Sequence, residues 1–190
     1  MSSLRRILPL VLGTLAATSL LAHYEFIHYV TGADRIVSAP EKFDLNTLPN
    51  RTLYYFISGL GPDQVAPGVL SQIRLAAETW NGVGTSALRL EFGGFSATGV
   101  AQSTPGVDVV FADLTDAERA QGLVAKGGPT ARAAMLTGES GAFVPITRSA
   151  VVLSKDVAQL SSYDEWFFLT LVHEFGHALG LQHTLTSSAM

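Results

Sequence analysis

The segment that most constrains this chain lies near the end of its 190 residues: His173-Glu174-Phe175-Gly176-His177-Ala178-Leu179-Gly180-Leu181-Gln182-His183. An α-helix advances about 100° per residue, so histidines four positions apart stand one turn above each other, with their imidazoles directed the same way. His173 and His177 therefore offer two ligands to one metal ion. Glu174 projects from the same side but away from the line between them, which suits a carboxylate that acts on an activated water and not on the metal. A third ligand at a workable angle requires the chain to turn. Gly180 can take the left-handed conformation that ends a helix, and His183 then swings back toward the pair. Three neutral nitrogen ligands with one open position are the arrangement of catalytic zinc, whereas structural zinc takes four protein ligands.

The same stretch carries a second pattern. Phe168, Leu171, Val172, Phe175, Ala178 and Leu179 fall on an arc of roughly 120° opposite the histidines, so one helix face is core and the other is chemistry. Ser162 and Glu165 form a Ser-x-x-Glu capping box, which predicts a helix from near Tyr163 to near Leu179. At average residue frequencies the three histidines, the glutamate and the glycine coincide by accident on the order of once in 10⁵ chains of this length.

On these residues the segment resembles the matrixin branch of the metzincins, the matrix-metalloprotease-like zinc endopeptidases, whose signature is HExxHxxGxxH followed by a methionine turn. Ala76-x-x-x-Trp80-x-x-Val83, followed by Leu88 and Phe92, is similar to the first helix and second strand of a matrixin catalytic domain, so the resemblance spans most of Leu53 to Met190. It implies an α+β, zincin-like fold and a zinc-dependent endopeptidase that hydrolyses internal peptide bonds of proteins or peptides. One Zn²⁺ would sit on His173, His177 and His183, and a zinc-activated water would attack with Glu174 as general base and proton shuttle. Met190, seven residues after His183, stands where the family places an apolar floor beneath the metal. Matrixins usually add a structural zinc held by histidines and an aspartate. No histidine occurs between Tyr29 and Val172, so that site is expected to be missing.

The start of the chain points to export. Arg5 and Arg6 precede an apolar stretch from Ile7 to Ala22, the order of a secretory signal peptide. That stretch is shorter than the roughly 20 apolar residues that span a bilayer, and Pro9 and Gly13 interrupt it, so cleavage after Ala22 is expected and not anchoring. The protein is then secreted or extracytoplasmic, with no stable membrane span. Cysteine is absent, which leaves the compartment open on that ground and rules out latency through a propeptide cysteine, the matrixin device. A net charge of −4 and 15% charged residues, with no basic run, argue against nucleic acid as a partner.

Residues 23–51 read as an extended leader broken by Gly32, Pro40 and Pro49, in which His23 and His28 are taken as surface residues and not ligands. Residues 52–190 then form the matrixin-like domain. Leu53 to Ser58 reads as a first strand, and Val69 to Trp80 as a helix stopped by Asn81-Gly82. Leu88 to Phe92 gives a half-buried strand stopped by Gly93-Gly94, and Val107 to Phe111 a more apolar one. Gln121 to Gly141, rich in glycine and alanine, reads as a mobile loop; Ala142 to Ile146 and Ala150 to Leu153 read as two short strands. This order suggests a mixed, roughly five-stranded twisted sheet packed on the active-site helix. In matrixins the first strand of the last pair is the edge that binds extended substrate. Ala142, Phe143 and Val144 occupy that place, and Pro145 agrees with an edge because proline cannot donate to an inner ladder. Calcium is possible at Asp113, Asp116 and Glu118, but they lack the alternating oxygen pattern of a calcium loop and read as a solvated turn and helix cap.

One departure from the family opens a second reading. The chain ends on the methionine of the turn, whereas in matrixins a further loop and helix shape the specificity pocket. The expectation is a domain truncated just at the Met-turn. A zinc-binding, non-catalytic secreted module, or an inactive metzincin fragment, is the alternative; retention of Glu174 argues against it, since a structural zinc site has no use for that carboxylate.

Overall fold

A computed structural model describes residues 24–25, 27–31, 36–97 and 104–183. Its strands are β1 (Tyr24–Glu25), β2 (Ile27–Thr31), β3 (Ile36–Lys42), β4 (Thr52–Ser58), β5 (Arg89–Ser96), β6 (Gly106–Ala112), β7 (Ala125–Arg132), β8 (Leu136–Gly138), β9 (Gly141–Ser154) and β10 (Leu181–Gln182). The helices are α1 (Pro67–Asn81), a short α2 (Asp116–Ala120) and α3 (Glu165–Ala178). Among the described residues no helix is long and apolar enough to cross a membrane. The expected signal segment, His23 and Met190 lie outside the described residues.

Strand β9 organises the sheet. Its second half pairs parallel with β6 on one side and antiparallel with β7 on the other. β6 is parallel to β4, and β4 to β5, so five strands run in the order β5-β4-β6-β9-β7 with β7 alone reversed. The element order suggested a mixed sheet, and the sheet is mixed, with mostly parallel strands and few helices. The first half of β9 carries it further, pairing parallel with β3 and antiparallel with β8, while β2 forms an antiparallel hairpin with β3.

Strand alternation turns Leu53, Tyr55 and Ile57 of β4, Val107, Val109 and Phe111 of β6 and Val151 and Leu153 of β9 into one core. α1 contributes Val69, Ile73, Ala76 and Ala77, and α3 contributes Phe167, Leu171, Phe175 and Ala178. The Phe175 ring meets Tyr55 edge-on at 5.6 Å, and the Trp80 indole N–H donates to the Val172 carbonyl at 2.8 Å, tying α1 to α3. On the opposite side of the strands Arg148 is fully buried. Its Nε donates to Asp108 Oδ2 at 2.8 Å and its Nη2 to Asp108 Oδ1 at 2.5 Å, while the Ser58 hydroxyl donates to Oδ1 at 2.7 Å.

Several expectations change. The Gly93-Gly94 pair does not stop β5: it forms a bulge, where the partner of Tyr55 is Phe92 but the partner of Phe56 is Gly94, at φ +108°. The two short strands expected at 142–146 and 150–153 are one strand of 14 residues, because Arg148 in the polar gap is neutralised by Asp108 and can be buried. The stretch read as a loop, 121–141, holds β7 and β8, whose bonding comes from β9 and not from a side-chain pattern of their own. The stretch read as a leader, 23–51, contains β1, β2 and β3, and β3 is part of the sheet.

Candidate metal centre

Helix α3 begins one turn-corner later than the Ser162 box predicts. Asp164 is the N-cap: its carboxylate accepts from the Phe167 N–H at 2.8 Å, and a negative charge there also suits the helix dipole. Buried Gln72 of α1 holds the same corner, accepting from the Asp164 N–H at 3.1 Å. With Phe167, Leu171 and Phe175 fixed in the core, His173 and His177 are presented on the other face. His177 is 8% exposed, and its Nδ1 lies 2.8 Å from the Leu181 carbonyl, a bond that places its proton on Nδ1 and leaves the Nε2 lone pair for a metal.

Gly180 makes the turn that the sequence asked of it. It sits at φ +107°, and a Cβ on it would stand 2.7 Å from the Glu41 carbonyl and 3.2 Å from Ile146 Cδ1, so both conformation and close approach demand glycine. The chain then enters β10, which pairs antiparallel with β1, and reaches His183. His183 Nε2 lies 2.9 Å from His173 Nε2 and 3.0 Å from His177 Nε2. Tetrahedral ligands about 2.05 Å from a metal stand roughly 3.3 Å apart, within a few tenths of an ångström of this spacing. The donor set fits: each neutral imidazole has one proton, so three converging nitrogens cannot satisfy one another, and a cation between them can. Burial holds His173 below the usual histidine pKa, and His177 and His183 beside it push the same way, favouring the neutral form that binds metal.

The second wall of the centre is β7. Glu174 is 8% exposed, and the backbone N–H of Gly127 donates to its carboxylate. Burial raises its pKa above the ordinary glutamate value, opposed in part by that bond and by His183. Gly127 passes so close to α3 that a Cβ would lie 2.3 Å from the Glu174 carbonyl oxygen and 3.1 Å from its carboxylate Oε2. Sequence reasoning missed this residue. The signal was Gly127-Gly128-Pro129, two residues that allow close approach followed by one that cannot donate to an inner ladder, which is an edge-strand composition.

Ala142, Phe143 and Val144 are not a free edge. Phe143 pairs with Leu136 and Ala142 with Thr137 on one side, and Val144 pairs with Glu41 on the other. Pro145 is tolerated because it falls where the β8 ladder has ended and the β7 ladder is about to begin, with its carbonyl accepting from the Ala133 N–H at 2.9 Å. The outer strand beside Glu174 is β7, which among the described residues pairs with β9 alone. The acidic trio sits elsewhere. Thr115 caps α2 in a reciprocal box with Glu118, Glu118 also bonds Lys126 at 2.6 Å, and Asp113 bonds Lys155 at 2.7 Å. His28 lies in β2.

No family model and no curated protein sequence matches this chain. Among solved structures it is similar to the crystal structure of myroilysin at 19% identity and a TM-score of 0.35, over 77% of this chain and 53% of that one. The chain thus spans about half the length of that protein.

Proposed function

We propose that this protein is a zincin-like, zinc-dependent endopeptidase that cuts internal bonds of extended protein or peptide substrates. The observation that carries the reading is the convergence of three imidazole Nε2 atoms, two pairs of them 2.9 and 3.0 Å apart, beside a buried carboxylate that is no part of the trio. His173, His177 and His183 hold the metal. When bound, Zn²⁺ supplies Lewis acidity to a water and to the scissile carbonyl. Glu174 accepts the proton of the attacking water on its carboxylate and returns it to the leaving amine nitrogen; burial makes that carboxylate a better proton acceptor than an exposed one. The Gly127 N–H keeps it aimed. The outer edge of β7 is the strand along which an extended substrate lies, the role first expected of Ala142 to Val144. The mature chain begins near His23 and works outside the cytoplasm, as the signal-like N-terminus suggests.

The test is zinc content together with cleavage of a broad peptide library, with and without chelator. Glu174→Ala should keep the metal and lose hydrolysis by about 10²- to 10⁴-fold. Zinc affinity should fall as pH drops and the imidazoles take up protons. A zinc-loaded chain that cleaves nothing, or cleavage that survives Glu174→Ala, would overturn the reading in favour of the non-catalytic module or another mechanism.

A further inference from the structure

Two of the three histidines are held by a helix with its own core, whereas His183 stands three residues beyond Gly180 on a turn. What surrounds that turn comes largely from the other end of the chain. β1 pairs with β10, Tyr24 opposite Gln182 and Glu25 opposite Leu181, so the residue next to His183 is held in a two-strand ladder. At the start of the turn the Glu41 carbonyl of β3 closes on Gly180, where a Cβ would stand 2.7 Å from it. Glu41 is itself 3% exposed, and its carboxylate receives Arg132 Nε at 2.7 Å, which ties β3 to the end of β7. β3 is fixed against β9 by the pairs Glu41 with Val144 and Lys42 with Pro145. The turn is gripped from both ends, by β1 and by Glu41 of β3, and among the described residues its further anchors include the bonds from Gly180 N–H to the His177 carbonyl and from His177 Nδ1 to the Leu181 carbonyl.

We propose that β1 and β3 form a positioning clamp for the third metal ligand, which brings His183 Nε2 onto the other two imidazoles only while both strands are in place. The inference rests on the three histidines binding a metal and not on hydrolysis. It makes the strands before β4 part of the metal centre, although none of their side chains has to touch the ion. Segments that orient ligands without ligating act on affinity through ligand geometry.

The experiment measures affinity for Co²⁺ and Zn²⁺ by competition with a chromophoric chelator. The chains are the whole protein and chains lacking residues 1–22 or 1–25, each with His183 intact and as His183→Ala. Removing residues 1–22 leaves β1 whole and should change affinity less than about twofold; removing 1–25 should lower it about 10- to 100-fold. In the His183→Ala background the second deletion should change affinity less than about twofold, because the group it positions is gone. The visible spectrum of the Co²⁺-loaded chain should lose its four-coordinate intensity on deleting 1–25, as it should in His183→Ala, while far-ultraviolet circular dichroism stays unchanged. If that deletion prevents folding, Glu25→Pro in the whole chain, which removes a backbone donor from the β1 strand, is read by the same cycle. Equal loss in both backgrounds means general destabilisation and overturns the clamp, as does no loss in either. A chain that binds metal with this dependence but cleaves nothing sinks the peptidase reading and leaves the clamp standing.

Discussion

The two walls of the candidate metal centre, α3 and β7, are built on opposite principles. α3 carries its own core face in Phe167, Leu171, Phe175 and Ala178, its own cap in Asp164, and the candidate ligands His173 and His177 at helical spacing. β7 places only Ala125 in the core, and it is fixed by β9 along one edge, by Glu174 against Gly127, and by the pairs Lys126 with Glu118 and Arg132 with Glu41. A wall made of side chains is damaged by taking volume away; a wall made of backbone is damaged by adding it.

The largest effect expected of this contrast is at Phe175. Phe175→Ala empties a fully buried ring site between α3 and β4 and should cost about 3–5 kcal/mol, read as a lowered urea midpoint. A loss below about 1 kcal/mol would mean that α3 is not held by this core. Next is the ring that Phe175 meets. Burial pushes the Tyr55 phenol up to about 12 from an ordinary 10.0, so the folded state keeps its proton where the unfolded chain has lost it. Its contribution is fully present below pH 10 and lost as pH rises toward 12, on the order of 2 kcal/mol. Tyr55→Phe should remove that part of the alkaline slope in unfolding measured across the window.

On the other wall, Gly127→Ala puts a methyl group 2.3 Å from a helix carbonyl that cannot swing aside. The expected cost is about 1–3 kcal/mol in urea unfolding, with the proposed hydrolysis falling further than stability does because the bond to Glu174 is displaced. Full retention of both would show that β7 is not pressed on α3. The smallest effect is at the corner of the helix wall, where Asp164→Ala should cost about 1 kcal/mol and Ser162→Ala almost nothing. The reverse order would restore the Ser162 box.

The contrast also explains what could be read from the sequence. The histidine pair, the glutamate and the Gly180 turn were legible because helix spacing and a positive φ are local properties, visible in eleven consecutive residues. The destination of His183 was legible from Gly180; what holds it there was not, since Tyr24 and Glu41 are remote in sequence. β7 was lost because glycines and a proline show no period, and its strand character is conferred by β9. β9 was split in two because Thr147-Arg148-Ser149 looks like a polar break until Asp108, 40 residues earlier, is placed against the guanidinium. The helix cap was displaced by two residues because Ser162 matches the Ser-x-x-Glu pattern, whereas the carboxylate of Asp164, two positions on, is the one that meets the Phe167 N–H.

That buried guanidinium has a consequence for alignment. β6 and β9 are parallel and joined by a long excursion, so no tight turn sets their register. Val107, Val109 and Phe111 against Val151 and Leu153 would tolerate a slip of two residues, which returns the same face to the core. Such a slip moves Arg148 by about 7 Å along the strand and strands a buried cation without its anion, at a cost of several kcal/mol. The charged pair on the far side of the sheet thus acts as an index mark for the apolar side. Because Gly127 is laddered to Val151 on the same strand, that mark also decides which backbone N–H arrives at Glu174.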